Sequence, residues 1–221
     1  MAIKKSSLII IGAALVITMS IISIGLLKGA NEDDPRHDTQ QSAQEDSLVQ
    51  TGSSEYQTFM ALTGDEFDER YLADMIVHHQ GAVEMADLAL QKAEREDIKQ
   101  LSREIIQAQA KEITDMERWQ QEWGYADESA HQHMSHGSGE HAGHGAMSMA
   151  DHMEMMLQPL REKTGAAFDT EWITQMIMHH QGAIDMSVPA AHNAKHQEIK
   201  DLAQVIIIEQ TREIEQMKGW Q

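Results

Sequence analysis

MIVHHQGAVEM at residues 75–85 and MIMHHQGAIDM at residues 176–186 are two versions of one segment, 101 positions apart. The same offset aligns Phe67-Asp68 with Phe168-Asp169 and Ile98-Lys99 with Ile199-Lys200. It also aligns Gln109, Glu112, Ile113, Met116, Trp119 and Gln120 with Gln210, Glu213, Ile214, Met217, Trp220 and Gln221. Across 67–120 and 168–221, 23 of 54 positions are identical without a gap, too many for two unrelated amphipathic helices to share by composition. The chain is a duplication.

Each copy reads as two helical stretches, at 66–94 and 97–123 in the first and at 167–195 and 197–220 in the second. Thr63-Gly64-Asp65-Glu66 has the pattern of a capping box at the first helix start, and Gly124 ends the first copy. A single hairpin cannot bury its apolar stripe, so the expected fold is all-α: a four-helix bundle of two repeated hairpins, at 55–124 and 167–221. The connection at 125–166 is too long for a tight turn, which leaves both up-down-up-down and crossover orders open. Pro189 replaces Leu88 of the first copy and is expected to kink the third helix near its end.

At 100° per residue, Tyr71, Met75, His79, Ala82 and Ala86 share one stripe, with His78 toward one flank beside Met85. The second helix carries Ile98, Leu101, Ile105, Gln109, Glu112, Met116 and Trp123 on its stripe. With a turn near 95–96, His79 and Glu112 are equidistant from it and should meet, as should His180 and Glu213. The expected interior therefore holds a layer of two imidazoles, two carboxylates and the amides of Gln109 and Gln210, bordered by Met75 and Met176. An unpaired charge there would cost several kcal/mol, so the layer must be hydrogen-bonded within itself, wet or metal-bound. Two readings stay open, a satisfied buried His–Glu pair and a metal site. The glycines of the motif, Gly81 and Gly182, cost helix propensity and point to close helix approach.

Between the copies lies HQHMSHGSGEHAGHGAMSMADHMEMM, residues 131–156. It holds His131, His133, His136, His141, His144 and His152, interleaved with Met134, Met147, Met149, Met153, Met155 and Met156. Thioethers need no deprotonation and favour Cu(I) and Ag(I); imidazoles extend the range to Cu(II), zinc and nickel. A low-complexity linker that binds nothing is the bland alternative. The last part, about 148–162, is expected to be helical, stopped or kinked near Pro159.

The chain has 221 residues, 17 basic and 36 acidic, a net charge of −19, 16 methionines and no cysteine. That excess of negative charge argues against nucleic acid as a partner. Without cysteine there is no disulfide framework, thiolate site or cysteine nucleophile. Lys4 and Lys5 precede an apolar run at 6–27 that would reach about 33 Å as a helix, enough to span a bilayer. An uncleaved transmembrane anchor at 1–28 is the favoured expectation and a cleaved signal segment the rival, both placing the rest outside the cytoplasm, facing the periplasm or cell exterior. Residues 29–54 are acidic and poor in apolar groups, and read as a flexible tether.

The doubled HHQGA segments, each followed by a helix ending in or near ExxxMxxWQ, resemble the family called domain of unknown function 305, over about residues 56–221. The resemblance implies a ferritin-like four-helix fold, and some relatives are periplasmic copper-binding proteins associated with copper and silver tolerance. It implies metal roles for Met75, His78, His79 and Met85 and for Met176, His179, His180 and Met186. With Glu112, Met116, Glu213 and Met217 from the facing stripes and the donors of the insert, these make up the candidate ligand set. The expected function is sequestration or delivery of copper, chiefly Cu(I), or silver by a binding protein rather than an enzyme. A ferritin-like redox metalloenzyme is one alternative, though no Glu-x-x-His pair of the di-iron type lies on the bundle faces. An interaction module for a metal-efflux system is another; no sequence feature names a protein partner.

Overall fold

The computed structural model describes residues 50–125 and 148–221, so the expected anchor and residues 29–49 of the tether lie outside the described residues. Among the described residues, seven helices form, and no helix is long and apolar enough to cross a membrane. They are α1 (Ser54–Met60), α2 (Asp65–Lys92), α3 (Glu96–Trp123), α4 (Met149–Glu162), α5 (Gly165–Ser187), α6 (Ala190–Asn193) and α7 (Gln197–Lys218). The four long ones pair as the repeat requires: α2 packs on α3, and α5 on α7, in a helical bundle.

The direction of α5 decides between the two orders that the sequence leaves open. Tyr71, near the start of α2, meets Ser187 at the end of α5, while Trp172, near the start of α5, donates to the Met85 carbonyl late in α2. The central helices are therefore antiparallel, which makes α5 parallel to α3 and the connection between them a crossover. Helix α4 is part of that crossover and lies against α2 and α5. Ser148 caps it by accepting from the Asp151 N–H, and it runs through Pro159 to Glu162 with Leu160 fully buried.

Two cores result, one toward each end. Phe59, Phe67, Tyr71, Met75, Met116 and Met186 belong to one; Met85, Ile98, Phe168, Trp172, Met176 and Met217 belong to the other. The ends are locked by the Phe-Asp pairs. Buried Asp68 accepts from the N–H groups of Lys195 and His196, each at 2.9 Å, and buried Asp169 accepts from those of Glu94 at 3.1 Å and Arg95 at 3.0 Å. Each carboxylate thus satisfies orphan donors at the start of a helix in the other repeat, where the helix dipole also favours negative charge.

Two local expectations are revised. The capping box does not form: α2 starts after Gly64, whose φ of 64° suits glycine, and no side chain caps it. That conformation lets the Gly64 N–H bond the Asn193 carbonyl at 2.8 Å, so the chain is tied to the second repeat instead. Pro189 breaks the third helix outright: α5 ends at Ser187 and α6 resumes at Ala190. Helix α1 precedes the first helix expected at 66–94 and is anchored by Phe59, which packs edge-on against Phe67 and Tyr71.

Candidate metal centre

Antiparallel crossing of α2 and α5 brings the two copies of His-His-Gln-Gly together. His78 and His179 come into contact with ring centroids 3.7 Å apart and planes tilted by 42°, and all four histidines of the motifs are buried. His78 is therefore central rather than flanking. The His179 ring donates from Nε2 to the His78 carbonyl at 3.0 Å. His79 and His180 donate from Nε2 to Glu112 and Glu213, each at 2.7 Å, so both pairs predicted from the turn position are present. With Nε2 protonated, the neutral His179 ring carries its lone pair on Nδ1. The Nδ1 atoms of His78, His79, His179 and His180 are all buried without a hydrogen-bond partner.

Burial is the main cause that holds His78 and His179 well below the usual imidazole pKa range, with neighbouring histidines, His152 included, adding to it. Both are thus neutral and able to ligate without first losing a proton. A sulfur completes the cluster. A Cβ at Gly81 would stand 2.6 Å from Met153 Sδ and 3.4 Å from His179 Nε2, so only a glycine leaves Met153 of α4 room beside the histidine pair. At Gly182 the same atom would meet His78 Nε2 at 3.3 Å. The glycines permit close approach, but it is side chains that fill the space, not a neighbouring backbone.

The outer layer forms as well. Gln109, Glu112, Gln210 and Glu213 line a cleft of about 20 Å³ between α3 and α7, room for one water-sized occupant. Gln109 Oε1 and both amide atoms of Gln210 are buried there without partners. Among the described residues, however, no group of three or more His, Asp or Glu side chains is arranged to hold a metal.

The methionines carried over by resemblance are placed differently from the histidines. Met75, Met85, Met176 and Met186, like Met116 and Met217, are fully buried in the two hydrophobic cores. In the insert, Met153 and Met156 are buried, Met155 is exposed, and His152 pairs with Glu55 at 3.6 Å. Met149 and His152 line a cavity of about 190 Å³ with Asp74 and Phe59. His131, His133, Met134, His136, His141, His144 and Met147 lie outside the described residues. Sequence reasoning gave no role to Asp68, Asp169 or Ser187. Ser187, a departure from Ala86 of the first copy, bonds the buried Tyr71 hydroxyl at 2.9 Å.

No curated protein matches the chain. Among solved structures, it is similar to CopM in the Cu(II)-bound form, with 37% identity over 72% of this chain and 96% of that one and a TM-score of 0.55. CopM in the Cu(I)-bound form matches with 35% identity over 69% and 94% of the two chains and a TM-score of 0.54. A DUF305 protein of Streptomyces coelicolor shares the fold at 24% identity, over 68% of this chain and 88% of that one, with a TM-score of 0.54. The model of the family described as Domain of unknown function (DUF305) matches twice, at residues 26–118 and 68–221. The chain belongs to the DUF305 family.

Proposed function

We propose that this protein binds Cu(I) or Ag(I), using the His78–His179 pair and Met153 as a defined site and the donors of residues 131–156 as added capacity. The observation that carries this reading is a cluster of four buried histidines, each with an unpartnered Nδ1, with the Met153 sulfur and His179 Nε2 both beside Gly81. The similarity to CopM, whose structures include Cu(I)-, Cu(II)- and Ag-bound forms, supports copper or silver as the cargo. The mixed thioether and imidazole donors suit Cu(I) and Ag(I), while the histidines admit Cu(II) and zinc.

A cation at the Nε2 edge of His179 requires the neutral ring to change tautomer, the proton now shared with the His78 carbonyl moving to the unpartnered Nδ1. The bundle faces lack the Glu-x-x-His pairs of di-iron oxidases, which favours a holder over a catalyst of that type. The single long crossover supports reading the bundle as ferritin-like. Lys4, Lys5 and the apolar run at 6–27 support a location outside the cytoplasmic membrane on an N-terminal anchor.

Equilibrium titration of metal-free protein with Cu(I) against a competing chelator tests the proposal. The expected result is several sites, one of them lost in a Met153→Leu variant. Binding no greater than that of a histidine-poor acidic protein overturns it.

A further inference from the structure

The cluster of histidines and Met153 leaves one polar layer of the bundle unused. Glu112 and Glu213 each spend Oε2 on a histidine, and with Gln109 and Gln210 they line the cleft between α3 and α7. The eight residues of its lining are four pairs at the 101-residue offset, so the cleft lies where the two repeats face each other symmetrically. Three pairs are identical. Only Glu209 departs from its counterpart, Ala108, and its carboxylate is held by Arg212 at 2.7 Å. Gln109 and Gln210 are each 3% exposed, yet Gln109 Oε1 and both amide atoms of Gln210 have no hydrogen-bond partner. The Oε1 atoms of Glu112 and Glu213 also remain for an occupant, with Arg212 3.9 Å from the latter, beyond hydrogen-bond reach.

We propose that this cleft is a second metal site, built for a small hard divalent cation of the Mn(II) or Mg(II) kind and independent of the soft-metal site at the histidine pair. Its donors are Oε1 of Glu112 and Glu213 and the amide oxygens of Gln109 and Gln210. A water molecule has only two protons to give, whereas three acceptor oxygens meet here and a fourth is available from the unpartnered amide of Gln210. A cation suits a wall made of acceptors, and two carboxylates balance the charge of a divalent one. Carboxylate and amide oxygens select hard ions over Cu(I) and Ag(I). The volume of about 20 Å³ fits a small ion better than calcium, which gathers six to eight ligands. The His79 and His180 rings, bonded to the other carboxylate oxygens at 2.7 Å, orient the two ligands as outer partners rather than joining them. With only two carboxylates in the set, the site agrees with the absence, among the described residues, of a metal-holding group of three His, Asp or Glu. Because each repeat supplies two donors, the ion ties α3 to α7 and its binding stabilises the fold.

The test is titration of full-length, metal-free protein with Mn(II), followed by loss of the free-ion EPR signal, in about 0.3 M sodium nitrate to screen the acidic surface. One saturable site is expected, retained in protein already loaded with Ag(I), and its filling raises the thermal midpoint. The double variant Gln109→Met/Gln210→Met replaces the unpartnered amides with apolar side chains of similar length. It should weaken Mn(II) binding at least roughly tenfold and keep the Ag(I) affinity of the parent. Pulsed EPR of the bound ion in the parent protein, which needs no variant, should show no directly coordinated nitrogen. Three results overturn the proposal. Lack of a saturable site would leave the cleft to a water molecule. Parent-like Mn(II) affinity in the double variant would remove the amides from the site. Displacement of Mn(II) by Ag(I), or imidazole nitrogen bound to the ion, would place it on the histidines instead.

Discussion

His78 and His179, one repeat apart in sequence, meet at the crossing of α2 and α5 with ring centroids 3.7 Å apart and planes tilted by 42°. Burial, and after it the neighbouring histidines, holds both well below the ordinary imidazole range. In the unfolded chain they titrate near pH ~6.5, so below that value the unfolded state binds more protons than the folded one. Their contribution to stability is complete above that pH and declines as the pH falls toward the depressed folded-state values. The thermal midpoint of metal-free protein should fall between pH 7.5 and 5.5, and His179→Gln should flatten the slope. A midpoint that is flat or rises on acidification contradicts this assignment.

Asp68 and Asp169 each accept two backbone N–H groups from the opposite repeat while buried. Replacing either by Asn keeps the shape but removes the charge and one acceptor oxygen. Each substitution is expected to cost about 2 kcal/mol, since hydrogen bonds to charged groups are the stronger kind. Chemical denaturation measures this, and a loss below a few tenths of a kcal/mol would show that these contacts are dispensable.

Gly81→Ala separates folding from binding. Alanine gains about 1 kcal/mol of helix propensity, whereas its Cβ would push aside Met153 Sδ, now 2.6 Å from that point. Because a thioether at the end of a flexible chain moves easily, stability should stay within about 1 kcal/mol of the parent. Silver affinity should fall by roughly tenfold as the sulfur leaves the histidine pair. Unchanged affinity in calorimetric titration would remove Met153 from the site.

The duplication made the hairpins and the His79–Glu112 and His180–Glu213 pairs legible, because equal distance from a turn fixes register between antiparallel helices. What the sequence hid are contacts between repeats. Asp68 lies 127 residues from Lys195, and an aspartate in the first turn of a helix reads as an ordinary dipole partner. Its recurrence as Asp169 was the available signal. The contact of His78 with His179 was hidden for the same reason: a helical stripe gives the face of each helix but not the level at which two helices cross. Met153 was visible only as one of many donors in the insert, since its seat exists through the missing Cβ of Gly81.

X-ray absorption at the copper edge gives the most direct test, on Cu(I)-loaded protein in which the His and Met residues of 131–147 are replaced by Ser. The account predicts that about one copper remains bound, with both thioether sulfur and imidazole nitrogen as neighbours, and that Met153→Leu removes the sulfur signal. Protein that retains no copper, or a spectrum with nitrogen and oxygen neighbours alone, would contradict it.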